Sequence, residues 1–123
     1  MTALAAIRTA LRTFGLPAVP YVYEGHEVRY FTYNYADNRG MNFGDDAPGS
    51  AVAAVQVHLF LPITDPVTKS KQSFTKDLIK VRNALFEAGF TYPEVTVQRE
   101  DDTNHWHLIF ECEYEEETGL DDW

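Results

Sequence analysis

Cysteine is nearly absent: Cys112 is the single one in a chain of 123 residues. That excludes an internal disulfide and gives no thiolate set for a zinc cluster, which needs several Cys or His at fixed spacing. Basic residues are scarce too. Ten Lys and Arg stand against 19 Asp and Glu, a formal charge of −9, which opposes attraction to phosphate backbones and anionic lipid. No apolar run is long enough to cross a membrane. The start, Met1-Thr2-Ala3-Leu4-Ala5-Ala6-Ile7-Arg8, lacks the basic leader and continuous apolar stretch of a secretion signal, so synthesis and first action in the cytosol are expected. No calcium loop of the D-x-D-x-D-G type, Gly-rich phosphate loop or G-x-S-x-G elbow occurs. Internal repeats and low-complexity tracts are missing as well.

What the chain does have is core-forming material. Its 45% apolar content, with seven Tyr, eight Phe and two Trp, is too rich for a disordered chain. The length suits one domain with its own core, expected over residues 1–117, with 118–123 as a short acidic tail. Leu4, Ile7, Leu11 and Phe14 make one stripe on a helix ended by Gly15 and Pro17. Tyr21-Val22-Tyr23 and Glu27 to Tyr35 predict a hairpin around a Glu24-Gly25-His26 turn. From Ala36 to Ser50 the chain is dense in Gly, Asp and Asn, which predicts a long loop, either a mobile junction element or a plain hairpin tip that tolerates insertion. Asp37, Asn38, Arg39, Met41, Phe43, Asp45 and Asp46 are its candidate contact residues.

Ala51 to Leu61 predicts a central strand stopped by Pro62. Phe74, Leu78, Val81, Leu85 and Ala88 share a stripe within a second helix expected over Pro66 to Gly89, with Gly89 as its cap. Glu94 to Gln98 and His105 to Tyr114 alternate across a polar turn and predict a closing hairpin. The order α-β-β-β-α-β-β predicts an α+β fold: a mostly antiparallel sheet of about five strands with two helices packed on one face.

Alternation then sorts the sheet into two faces. Val55, Val57, Leu59 and Leu61, with Trp106, Leu108, Phe110 and Cys112, are expected to meet the helices. The other face is expected to carry Phe31, Tyr33 and Tyr35, then Gln56, His58 and Phe60, then His107 and Ile109. An uncovered aromatic face suits a partner or self-association, so Phe31, Tyr33, Tyr35, His58, Phe60 and Ile109 are the candidate interface; ordinary β-propensity is the alternative reading. Base stacking on such a face would need basic surroundings, and these are acidic. His58, His105 and His107 could ligate zinc if the register brought them together, although strand histidines are more often plain surface residues. The acidic clusters lie in turns and the tail, where no cleft separates carboxylate pKa values for acid-base catalysis. No catalytic residue, metal or cofactor is expected.

The strings carry a further signal. Pro20-Tyr21-Val22-Tyr23-Glu24-Gly25, Tyr30 to Pro48 (YFTYNYADNRGMNFGDDAP), Val55 to Pro62 (VQVHLFLP), Ala84 to Val97 (ALFEAGFTYPEVTV) and His107 to Glu113 (HLIFECE) resemble the tail-completion, or tail-terminator, proteins of long-tailed phages and prophages of Gram-positive bacteria. The resemblance runs over about residues 18–115. It implies a non-enzymatic subunit of a homo-oligomeric ring, a hexamer, that caps the tail tube and meets the head connector, in the virion and, during assembly, in the host cytoplasm. DNA would pass through the lumen without being bound, and an acidic wall would let it slide. Head-completion or connector subunits of the same virion, and a host-directed protein-binding module, remain alternatives.

Overall fold

A computed structural model describes residues 1–44 and 47–117, the side chains of 41–49 excepted. Helix α1 (Ala3–Leu11) starts at Thr2, whose hydroxyl accepts the Ala5 N–H at 3.1 Å. Ala3, Ala6, Ile7 and Leu11 form its buried stripe. A 3-10 turn (Arg12–Phe14) follows and ends at Gly15, whose φ of 68° only glycine adopts without strain.

The first strand differs from expectation. Strand β1 is Ala18–Pro20 and pairs parallel with Phe31 to Tyr33 of β2 (Tyr30–Gly44). Tyr21, at φ 65°, turns the chain out of the strand. Tyr23 then folds over Gly25, leaving no room there for a Cβ, and its hydroxyl accepts the Glu27 N–H at 3.0 Å. Glu24-Gly25-His26 therefore does turn the chain, but not as the tip of a β-hairpin.

The expected long loop is also corrected. Strand β2 pairs antiparallel with β3 (Ala47–Pro62) out to Gly44↔Ala47, so Asp37, Asn38, Arg39, Met41 and Phe43 lie on a strand. Asp45 and Asp46 fall outside the described residues. Backbone ladder bonds are indifferent to side chain, and a facing strand supplies what weak β-propensity does not. The register shifts once, between Tyr35 and Asp37, leaving Ala36 as the extra residue of a bulge.

Helix α2 (Thr75–Glu87) is shorter than its stripe predicted. Asp65 turns the chain ahead of it, its carboxylate accepting the Val67 N–H at 2.8 Å, and Thr64 pairs with Lys71 across that turn. Val81 and Leu85 are buried, and Gly89 at φ 105° closes the helix as expected. Strands β4 (Glu94–Glu100) and β5 (His105–Glu117) complete a sheet of order β1-β2-β3-β5-β4, antiparallel except at β1–β2. The fold is α+β, a five-stranded, mostly antiparallel sheet with both helices in one core against one of its faces.

That core takes Val55, Val57, Leu59 and Leu61 from β3 and Leu108, Phe110 and Cys112 from β5. It also takes Phe31 and Tyr33, which are 0% and 3% exposed, with Tyr35 packed at its margin. The placement of these three on the open face is thereby overturned. Phe31 pairs with Leu59, Tyr33 with Val57 and Tyr35 with Val55, so all three share the helix side. Phe14 meets Phe31 edge-on, ring centroids 5.7 Å apart.

Burial pushes the Cys112 thiol up to about 12. Its thiolate is the reactive form, so the native protein at pH 8 should leave a thiol reagent such as DTNB essentially unreacted. Adding denaturant should release one equivalent within minutes; fast reaction of the native protein would contradict this burial.

Candidate interaction face

The open face is built from the other parity of each strand. Three rows cross it: Tyr30–Phe60–His107–Gln98, Thr32–His58–Ile109–Thr96 and Asn34–Gln56–Glu111–Glu94. His58, Phe60, Ile109, Gln56 and His107 stand where alternation placed them. Tyr30, Thr32 and Asn34 take the places expected for Phe31, Tyr33 and Tyr35. The missed signal was the parity of β2, which no single strand reveals. Tyr35 donates its O–H inward to Glu116 at 2.6 Å.

One end of the face is a ladder of rings. Tyr23 stacks on Tyr30 at 4.4 Å, Tyr30 on Phe60 at 4.7 Å, and Phe60 on His107 at 4.2 Å between centroids. Beside it runs a chain of hydrogen bonds. His107 Nδ1 lies 3.1 Å from Glu100 Oε2, His107 Nε2 lies 2.8 Å from His58 Nδ1, and His58 Nε2 lies 3.1 Å from Asn34 Oδ1. Asn34 Nδ2 donates to the Tyr35 carbonyl at 3.1 Å. Burial, with help from His107, lowers the His58 pKa; Glu111 opposes the shift. The Tyr30 phenol is raised, by burial first and by Glu100 and Tyr23 after it.

His105 does not join His58 and His107. Its Nε2 faces the Val28 carbonyl at 3.1 Å. Among the described residues, no three of His, Cys, Asp and Glu converge as a metal-holding group.

The rest of the face is acidic. On β5, Glu111, Glu113, Glu115 and Glu117 follow one another at every second position on this side, and Glu94 stands directly opposite Glu111. Like charges placed opposite each other weaken a sheet, so the arrangement costs stability that the fold does not require. Arg39 meets this row, 2.9 Å from Glu113 and 3.3 Å from Asp37. These exposed pairs add little stability.

Beneath the hairpin, Glu116 is a second feature missed in sequence. Its carboxylate is 1% exposed and accepts the Ala3 N–H at the start of α1, the Tyr35 hydroxyl and the Asn38 side-chain amide. In the sequence it looks like one more residue of an acidic run.

No protein-family model matches the chain, and no curated protein matches it. Among solved structures, a chain from the virion of a native gene transfer agent particle is similar in fold. The TM-score is 0.56 and the identity 12%, with 94% of each chain covered. At that identity, the likeness is one of fold.

Proposed function

We propose that this chain is a structural protein of a phage-like virion that works by assembly, not by catalysis. In the finer reading it is a tail-terminator or tail-completion subunit, six copies of which form a ring that caps the tail tube and meets the head connector. The observation that carries the reading is the fold shared nearly end to end with a chain of a gene transfer agent virion. The string resemblance and the acidic face support it independently. A glutamate ladder facing a lumen would repel the phosphates of passing DNA and keep the genome mobile.

The β2–β3 hairpin, with Asp37, Asn38, Arg39, Met41 and Phe43 on its first strand, is the proposed junction element toward tube or connector. His58, Phe60 and Ile109 are the proposed contact residues of the open face. Phe31, Tyr33 and Tyr35 serve the core instead. The virion neck would be its place of action, reached from the host cytoplasm. A head-completion or connector subunit is the second reading, because the similar chain is part of a whole virion particle.

Shortening the hairpin tests the junction role. Gly40 and Ala51 face each other across the ladder, so an Asn-Gly turn can join them while Asn38 and Glu116 stay in place. Circular dichroism and thermal midpoint should change little, while electron microscopy of lysates should show full heads and unattached tails. Normal joined virions from this variant would rule the junction role out.

A further inference from the structure

The chain of contacts from Asn34 to Glu100 is one proton short, and the shortage sits at a defined place. Asn34 Nδ2 donates to the Tyr35 carbonyl; a backbone carbonyl only accepts, so the amide cannot turn round without setting oxygen against oxygen. Its Oδ1 therefore faces His58 Nε2 and requires a proton there. At the far end, the Glu100 carboxylate requires one on His107 Nδ1. Two neutral imidazoles own one N–H each, and both are now spent. His58 Nδ1 and His107 Nε2 would then meet as two bare lone pairs at 2.8 Å.

We infer that His58 and His107 form a cation site on the open face, in which one extra proton is bound between their facing ring nitrogens and balanced by Glu100. Distance decides between a proton and a metal ion. Two zinc–imidazole bonds of about 2.0–2.1 Å hold their nitrogens about 3.3 Å apart in a tetrahedral site. The observed 2.8 Å, with ring centroids at 5.0 Å, is the in-line geometry of an N–H···N bond.

The surroundings fit a single positive charge. Glu100 on β4 and Glu111 on β5 face the pair, and Phe60 lies stacked over His107. Tyr30 on β2 stays a neutral phenol, its pKa raised, and His105 on β5 is engaged elsewhere, with Val28. Burial of His58 works against the added proton and Glu111 works for it, while the first charge works against a second. The bound proton ties β2, β3, β5 and β4 together through Asn34, His58, His107 and Glu100.

This inference does not rest on the virion reading. The test is imidazole nitrogen NMR on histidine-labelled protein in chelator-treated buffer, followed by zinc titration. The expected result is a plateau of three ring N–H protons on the pair, with His58 Nδ1 and His107 Nε2 both at intermediate shifts. Glu100→Gln removes the balancing charge and should move the loss of the third proton to lower pH. His107→Gln should leave His58 titrating alone. Two separately titrating rings, or two N–H protons with a bare nitrogen and no three-proton plateau, would overturn the proposal. So would one equivalent of zinc bound by both rings. Should a variant fail to fold, the proton count of the unsubstituted protein decides the question by itself.

Discussion

Replacing Glu116 by alanine is expected to lower stability by about 2–4 kcal/mol, the scale of losing hydrogen bonds to a charged acceptor and leaving one buried donor unpaired. Glu116 gathers three donors that belong to distant stretches of chain: the first N–H of α1, the hydroxyl of Tyr35 and the amide of Asn38. A carboxylate at a helix start also answers the positive end of the helix dipole. Alanine would leave the buried Ala3 N–H, and the part-buried Tyr35 hydroxyl and Asn38 amide, without their acceptor. For a domain of this size the thermal midpoint should fall by about 10–20 °C. Glu116→Gln keeps an acceptor but loses the charge and should cost roughly half as much. Urea and thermal unfolding measure both, and hydrogen exchange should show α1 opening first. A loss under about 1 kcal/mol for the alanine variant would mean that the carboxylate does not hold α1 to the sheet.

Phe31→Ala should be comparably damaging, by about 3–5 kcal/mol, because a fully buried ring is removed from a packed core. Phe60 stands on the neighbouring strand but on the opposite face, half-buried in the ring ladder. Phe60→Ala should cost about 1–2 kcal/mol, in proportion to its smaller burial. Chemical denaturation of the two variants therefore reads out which face packs against the helices. Equal losses, or the larger loss at Phe60, would contradict the register of β2 on β3. In assembly the ranking should invert among folded variants, since Phe60 belongs to the face proposed to touch a partner.

Much of this architecture was legible in the sequence because burial imposes a period. The helix stripes at Ile7 and Leu11 and at Val81 and Leu85, the glycine ends at Gly15 and Gly89, and the apolar alternation of Val55 to Leu61 each follow from one element's own geometry. Features that depend on two elements were not legible. The facing of Phe31, Tyr33 and Tyr35 is set by cross-strand register with Leu59, Val57 and Val55. The strand from Asp37 to Gly44 exists because β3 lies beside it, not because Asp, Asn and Gly favour extension. Pro66 began a turn, not a helix, once the Asp65 carboxylate captured the Val67 N–H.

The open face was legible in part: His58, Phe60, His107 and Ile109 fell on it by alternation. The pairing of His58 with His107, and the ends of their chain at Asn34 and Glu100, needed the register of four strands. Glu116 was hidden for a related reason. Its neighbours Glu115 and Glu117 point the other way, and composition alone makes all three look alike.

The bulge at Ala36 also constrains how such a chain can drift over time. Below it, odd positions of β2 point to the helices; above it, Asn38 does, while Asp37 and Arg39 face outward. Ironing the bulge out with Ala36 kept, so that it took the place opposite Ala54, would swing Asp37 beneath α1 and send Asn38 to the surface, taking from Glu116 its amide donor and burying a second carboxylate beside it; deleting Ala36 would instead leave a regular ladder with both residues facing as they do. Length changes near the hairpin tip carry no such penalty when they come in facing pairs. Related chains should accordingly vary in hairpin length by even steps, with one odd step tolerated at the bulge itself, where loss of Ala36 keeps the pairing of Asp37 and Asn38.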